Sequence, residues 1–266
     1  MTKDLPVVSV IMSVHNDKKT VDEAIESILS QTYGQFEFLI MDDGSSDGSF
    51  EIIRAYSLTD SRIRIFCHER GIGLTKSLNE LLVHSVGKYV ARIDADDISH
   101  RSRLEVQVRY MESHSHVALC GAQGWYMNEA GMEVGVKNVP LDTAVIQKKL
   151  LWNNQFIHSS WLFRRDIIIE NGGYNPLFLK SQDYELILRI AQKYTVVNLA
   201  DRLVWWRVRS NSISWQNRQQ EWYALKARWY AVTAYGYSFW YGMYCIVIRF
   251  LWMCIPVYIK RKRYAR

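Results

Sequence analysis

KYVARIDADD, Lys88 to Asp97, is the stretch around which this chain is organised. Tyr89, Val90, Ala91 and Ile93 form an apolar run of strand length, which predicts a buried strand. The run breaks off in Asp94, Asp96 and Asp97, with Ala95 alone between the first two. Three carboxylates crowded at one strand end repel one another, so a fold keeps them there when something positive sits among them. Hard oxygen ligands at a strand terminus suit Mg²⁺ or Mn²⁺, ions usually shared with substrate phosphates. An isolated D-x-D triplet is more often a solvated acidic turn capping the next helix. The flanking sequence decides between the two.

Upstream, Val7 to Val14 is a continuous apolar run that His15-Asn16-Asp17 ends. Thr20 and Glu23 stand at capping-box spacing before the stripe Ala24, Ile25, Ile28 and Leu29. Phe36 to Met41 predicts a second strand, running into Asp42-Asp43-Gly44-Ser45-Ser46-Asp47-Gly48. A helix over Ser49 to Leu58, a strand over Ile63 to Cys67 and a helix over Leu74 to Ser85 follow. This alternation implies an α/β fold, a parallel sheet with helices on both faces, and such sheets bind ligands beyond the carboxyl ends of their strands. His15, Asp43, Asp94 and Asp96 fall at such ends and converge on one crevice.

Downstream, Arg101 to Ser113 reads as a helix with Asp97 as its N-terminal charge. Val117 to Gln123 and Trp125 to Met127 read as strand, with a turn at Asn128-Glu129-Ala130-Gly131 and a hairpin partner after it. Asp142 to Leu151 is helical, Ser159 to Phe163 extended, Ser181 to Tyr194 an amphipathic helix capped by Ser181, and Val196 to Val208 a strand. No Pro/Gly/Ser linker occurs before about Trp215, so residues 1–215 read as one domain and 216–266 as a C-terminal helical segment.

Net charge is +6, but Lys260, Arg261, Lys262, Arg263 and Arg266 supply five positive charges in one tail. So local an excess points to an anionic membrane surface met by the C-terminus, not to a nucleic-acid groove. Cys67, Cys120, Cys245 and Cys254 form no C-x-x-C pair, which fits reduced thiols in a cytosolic setting. The N-terminus lacks the basic-then-apolar pattern of a signal peptide. Phe239 to Ile259 is long enough to span a bilayer, which takes about 20 apolar residues. Arg249 at its midpoint argues against spanning, as does a basic tail that belongs on the cytoplasmic side. Ser238, Gly242, Cys245, Arg249, Pro256 and Lys260 share one narrow helical stripe, with aromatic and aliphatic residues around the remainder. The pattern predicts a helix lying in the cytoplasmic membrane interface. Its rival is a dimerisation or domain-packing helix.

VSVIMSVHN (8–16), FLIMDDGSSDGS (38–49), ARIDADD (91–97) and SQDYELILR (181–189) together resemble the family-2 glycosyltransferases, over about residues 5 to 215. The resemblance implies the A-type nucleotide-sugar fold, a Rossmann-like, mostly parallel sheet, here with C-terminal amphipathic helices. It implies an inverting, metal-dependent transferase moving a hexose from a nucleotide sugar, with UDP the expected nucleotide. His15 and Asn16 would hold the nucleoside and Asp43 would accept the base imide N–H, while Asp42 is structural. HERGIGLTKSLN (68–79) resembles a family region that brings a basic residue, Arg70 or Lys76, to base or phosphate. Asp96 would ligate Mn²⁺ or Mg²⁺, and Asp94 would hold ribose or a metal-bound water. Relatives carry a histidine ligand in a downstream R-x-H element; here Arg209 stands in that place, and a guanidinium cannot bind the ion but can touch the diphosphate. Asp183 matches the general base, with Gln182 replacing the usual preceding acid and Glu185 a solvated helix residue. His158 and Ser159 sit where relatives line the acceptor side, and His114 and His116 are surface features. Membrane attachment extends the reading, by analogy, to a lipid-linked saccharide acceptor in polysaccharide or lipopolysaccharide assembly, with the protein peripheral on the cytoplasmic face of the inner membrane. The rivals are a catalytically silent nucleotide-sugar-binding or scaffold protein, and a nucleotidyltransferase. The latter lacks its Gly-rich basic loop, since His15-Asn16-Asp17 stands there.

Overall fold

Val8, Val10, Met12 and Val14 point to one side of the first strand, β1 (Val8–Val14), and Ile11 to the other, and this period of two divides the core. The computed structural model describes residues 7–208 and 218–255. After β1 come α1 (Val21–Leu29), β2 (Phe36–Asp42), α2 (Ser49–Thr59), β3 (Ile63–Cys67), α3 (Leu74–His84) and β4 (Tyr89–Arg92). These four strands are parallel in the order β3-β2-β1-β4. Crossovers through helices leave polar loops at the carboxyl ends of β1, β2 and β4.

Beyond β4 the sheet becomes mixed. β4 pairs antiparallel with β8 (Leu162–Arg164), and β8 antiparallel with β6 (Val117–Met127). β6 then runs parallel to β9 (Thr195–Arg207), whose far side carries the two-residue β5 (Ile98–Ser99). β7 (Glu133–Lys137) is the hairpin partner of β6. Helices α4 (Arg103–Ser113), α5 (Thr143–Leu150), α6 (Arg165–Glu170) and α7 (Gln182–Ala191) are followed by α8 (Arg218–Thr233) and α9 (Phe239–Cys254). Val21, Ile25 and Ile28 of α1 and Leu104, Val108 and Met111 of α4 cover one face with Ile53 of α2. α3, α5, α6 and α7 cover the other, and Ala227, Ala231 and Cys245 bring α8 and α9 into that same core.

Several local expectations change. Thr20 donates its hydroxyl to the Asp17 carbonyl (3.3 Å) and makes no cap bond, while Glu23 pairs with Arg207, so the capping box is not formed. The helix foreseen from Arg101 begins at Arg103, and Asp97 is buried, its carboxylate engaged by Ser159 and the Arg207 amide rather than by the first turn of that helix. Residues 117 to 127 are one strand, and Ser159 lies in a short 3-10 turn before β8 rather than in extended chain. Ser181 occupies the left-handed region (φ 53°) and gives its hydroxyl to Gln220 O (3.1 Å) instead of capping α7. Glu185 is fully buried, bonded to Arg189 (2.8 Å) and to the Tyr235 hydroxyl, not solvated. Among the described residues no helix is long and apolar enough to cross a membrane. The stripe foreseen on α9 turns inward: Gly242 and Cys245 are buried, and Arg249 pairs twice with buried Glu221 (2.6 and 2.6 Å). A Cβ on Gly242 would stand 1.9 Å from Val232 Cγ1, so only glycine lets α9 approach α8 here. Pro256 and the basic tail lie outside the described residues.

Candidate active site

Three loops meet beyond β1 and β2. His15 Nδ1–H donates to the Asp43 carbonyl (2.7 Å), the Asn16 amide donates to Ser45 Oγ (3.0 Å), and Asn16 Oδ1 accepts from the Ser46 amide (2.9 Å). Asn16 sits at φ 58°, a region asparagine tolerates better than most residues. Gly44 (φ 70°) lies under the third loop, where a Cβ would be 2.6 Å from Arg70 C and from Gly71 N. Asp43 closes the arrangement by accepting from the amides of Ile72 (2.9 Å) and Gly73 (2.8 Å) and from His68 Nδ1 (2.8 Å). Burial by itself raises its pKa, but the Ile72 amide, His68 and the Gly73 amide outweigh that and hold it below the usual carboxylate range. His68 donates its other nitrogen to Glu80 (2.9 Å); burial opposes its charge, yet the two carboxylates raise its pKa. Asp42 is buried and accepts from the Ser45 amide (3.1 Å), shaping the turn. Arg70 and Lys76 are exposed.

At the end of β4 a buried cation of the protein itself stands beside the aspartates. Arg92 stands two residues before Asp94, on the same side of an extended chain, and is 1% exposed. Its guanidinium bonds Asp94 and donates to Ser159 Oγ (3.0 Å). The Ser159 hydroxyl in turn meets Asp94 Oδ2 (3.0 Å) and Asp97 Oδ2. Ser159, expected on the acceptor side, thus spends its hydroxyl bracing the carboxylates. Asp97, expected to serve the following helix, accepts from the Arg207 amide (2.8 Å), and burial, then Asp96, pushes its pKa up. Arg207 also donates to the Asp96 carbonyl (2.8 Å), to the 128–129 turn and to Glu23, pinning this acidic turn between β9 and α1. Oxygens of Asp94, Asp96 and Asp97 lie within 4.8 Å of one another, a hard-donor set that fits a divalent cation.

Asp183 enters from the first turn of α7 and shares with Asp94 a cavity of about 550 Å³, walled also by Arg92, His158, Lys137 and Trp206. Its carboxylate accepts from Asn154 Nδ2 (2.8 Å). Enclosure by protein raises its pKa, partly offset by the Tyr184 amide, the Arg92 charge and Asn154. His158 bonds the Tyr174 hydroxyl (2.8 Å) and packs edge-on against Trp161; burial, then Arg92, holds it well below its usual pKa, as a neutral ring. Arg209 lies outside the described residues.

Arg92 carried a legible signal, a single charge inside an apolar strand at i−2 from Asp94. Asn154 carried none, because its partner is 29 residues away. Arg228 is a third addition: fully enclosed, it holds the carbonyls of Leu151 (2.8 Å) and Trp152 (2.7 Å) and lies over the Tyr184 ring, fastening the loop that presents Asn154.

Comparison with known proteins agrees with this geometry. The family model for glycosyl transferase family 2 matches residues 9–172. The O-antigen biosynthesis glycosyltransferase WbnJ of Escherichia coli is 35% identical over 214 residues, 78% of this chain and 82% of WbnJ. The amylovoran biosynthesis glycosyltransferase AmsE of Erwinia amylovora is 33% identical over 222 residues, 82% of each. Among solved structures, S. aureus TarS (1–349) in complex with UDP-GlcNAc superposes with a TM-score of 0.71 at 16% identity, covering 90% of this chain and 70% of TarS. The mannosyltransferase PcManGT from Pyrobaculum calidifontis, in complex with GDP-Man and Mn²⁺, gives a TM-score of 0.67 at 18% identity, covering 86% of this chain and 65% of PcManGT. The fold is that of the A-type glycosyltransferases, and the chain belongs to glycosyltransferase family 2.

Proposed function

We propose that this protein is an inverting, metal-dependent hexosyltransferase using a UDP-sugar donor. The observation that carries the reading is the single cavity in which Asp94 of the acidic turn and Asp183 of α7 meet, with Arg92 between them. Asp183 takes the proton from an acceptor hydroxyl as that oxygen bonds to the anomeric carbon and the nucleoside diphosphate leaves with its bonding pair. One displacement inverts the centre, so an α-linked donor gives a β-linked product. A raised pKa suits a group that must accept a proton near neutrality. Asp96 and Asp94 would hold Mn²⁺ or Mg²⁺, which would supply positive charge against that developing on the diphosphate. His15, Asn16 and the Asp43 loop would receive the nucleoside, Arg70 or Lys76 would bring a cation to base or phosphate, and Arg209 is the further candidate for the diphosphate. Neutral His158 would face the acceptor.

The surface-polysaccharide roles of WbnJ and AmsE support a saccharide acceptor, and we extend this to a lipid-linked one, met by a peripheral protein at the cytoplasmic face of the membrane. The deciding test is Asp183→Asn with a panel of nucleotide sugars and Mn²⁺. Donor and metal binding by calorimetry should persist while transfer falls by roughly 10²–10⁴-fold. Full turnover by that variant removes Asp183 from the role. If the parent chain neither hydrolyses nor transfers any sugar in the panel, it is a binding protein instead.

A further inference from the structure

α8 and α9 leave a large apolar surface uncovered. With Gly242, Cys245 and Arg249 of α9 turned toward the protein, the opposite side shows Trp240 (83% exposed), Tyr244, Val247, Phe250 and Leu251. Trp222 and Trp229 of α8 are exposed beside them, and Trp152, from the loop after α5, lies against Tyr244 at 6.4 Å between ring centroids. An open trough of about 420 Å³ runs between the helices, walled by Trp222, Leu225, Trp229, Ile246 and Phe250. A contiguous apolar face of this kind is rare on monomeric soluble proteins and marks a contact with something apolar.

Charge identifies the contact. From residue 218 to residue 266 the only acidic side chain is Glu221, which is buried against Arg249. Arg218, Lys226 and the tail cluster Lys260, Arg261, Lys262, Arg263 and Arg266 are uncompensated within that stretch. A second copy of the chain would bring the same cations against them, whereas an anionic lipid surface offers hydrocarbon for the tryptophans and negative head groups for the tail. Tryptophan and tyrosine suit that boundary, with one part of the ring apolar and the other wet.

We propose that the α8–α9 face, with Trp152, is the surface by which this protein docks on an anionic bilayer. It lies shallowly in the interface, and the docking element is a two-helix plate keyed to the catalytic domain, not one free helix. This rests on the proposed lipid-linked acceptor, and it adds where the membrane sits. A polar pocket of about 120 Å³ behind the plate is walled by Glu221, Arg228 and Arg249 together with Asn154 and Asp183. The plate therefore holds the Asp183 end of the cavity at the membrane surface, where a lipid-linked hydroxyl arrives.

The test is co-sedimentation of the full chain with vesicles of phosphatidylglycerol and phosphatidylethanolamine, against vesicles of phosphatidylcholine alone. Binding should favour the anionic vesicles by about tenfold or more and weaken in high salt. The double variant Trp229→Glu/Trp240→Glu and the tail variant with residues 260–263 changed to Gln should each lose about tenfold or more of that binding. Donor hydrolysis in detergent should be retained by both variants. Equal partition into the two vesicle types, or unchanged binding by the Trp variant, overturns the proposal. So does a dimer, seen by light scattering, that Trp240→Glu dissolves while the parent chain ignores vesicles. Because hydrolysis is read separately, a parent chain that turns over donor but ignores anionic vesicles fails this proposal alone, and a parent chain without turnover fails the enzymatic reading.

Discussion

The two carboxylate stations on the cavity are built in opposite ways. At the end of β4, Asp94, Asp96 and Asp97 are crowded together and supplied with Arg92, Ser159 and the Arg207 amide. At the start of α7, Asp183 stands half-buried on the cavity wall, with Asn154 as its one side-chain donor among the described residues. Identical side chains acquire different tasks from such surroundings. Arg92 and Ser159 fix the Asp94 and Asp97 carboxylates side by side, the geometry a cation site requires, although burial, then Asp96, raises the pKa of Asp97. Enclosure with few donors makes a carboxylate ready to take a proton. Arg92 spans the two, since its charge lowers the pKa of both Asp97 and Asp183.

The largest break in that contrast is Arg92→Met, which leaves the acidic turn without its buried cation. Removing one partner of a buried pair costs about 3–5 kcal/mol, so chemical denaturation should show a loss of that order. Ser159→Ala deletes the hydroxyl shared by Arg92, Asp94 and Asp97. It should cost about 1–3 kcal/mol, the penalty for buried polar groups losing a partner, and should weaken Mn²⁺ binding measured by calorimetry. An unaltered Mn²⁺ affinity would reduce Ser159 to a packing residue.

Asn154→Ala acts on the other station through pH. In the proposed mechanism the active form of Asp183 is the carboxylate, so kcat should fall as pH drops through its raised pKa. Asn154 stabilises that ionised form. Its loss should move the acidic limb of the kcat profile to higher pH, with donor KM little changed; a limb that stays in place separates Asn154 from the base. The smallest effect is on stability. A carboxyl whose folded pKa is raised binds a proton more readily folded than unfolded, so its contribution falls as pH rises above the ordinary carboxylate value. Asp183→Asn should therefore raise Tm slightly near neutral pH and leave it unchanged at pH below about 3. A lowered Tm near neutrality would mean the carboxylate is better solvated than its surroundings imply.

The strand ends of the parallel half were legible in the chain. Apolar runs of strand length, cut off by His15, Asp42–Asp43 and Asp94, name strand ends, and in a wound parallel sheet strand ends share one edge. What escaped were partnerships over long separations. Asp97 looks like a helix-capping charge until β9, 110 residues later, delivers the Arg207 amide to it. Glu185 looks solvated until Tyr235, 50 residues on, closes over it.

The α9 stripe marks the boundary most clearly. Periodicity alone determined that Gly242, Cys245 and Arg249 lie on one side of a helix, because 3.6 residues per turn is a property of the backbone. Which side meets protein depended on Val232 leaving room for a bare Cα and on Glu221 waiting, buried, for a guanidinium. Those are properties of another helix. The same holds for the chemistry: the sequence by itself determined which carboxylates stand at strand ends and at the start of α7, through local pattern and strand polarity. Only the tertiary structure decided what each of them meets there, Arg92 and Ser159 beside Asp94 and Asp97 and the Asn154 amide beside Asp183, because desolvation and donor count are set by neighbours that the chain brings in from afar.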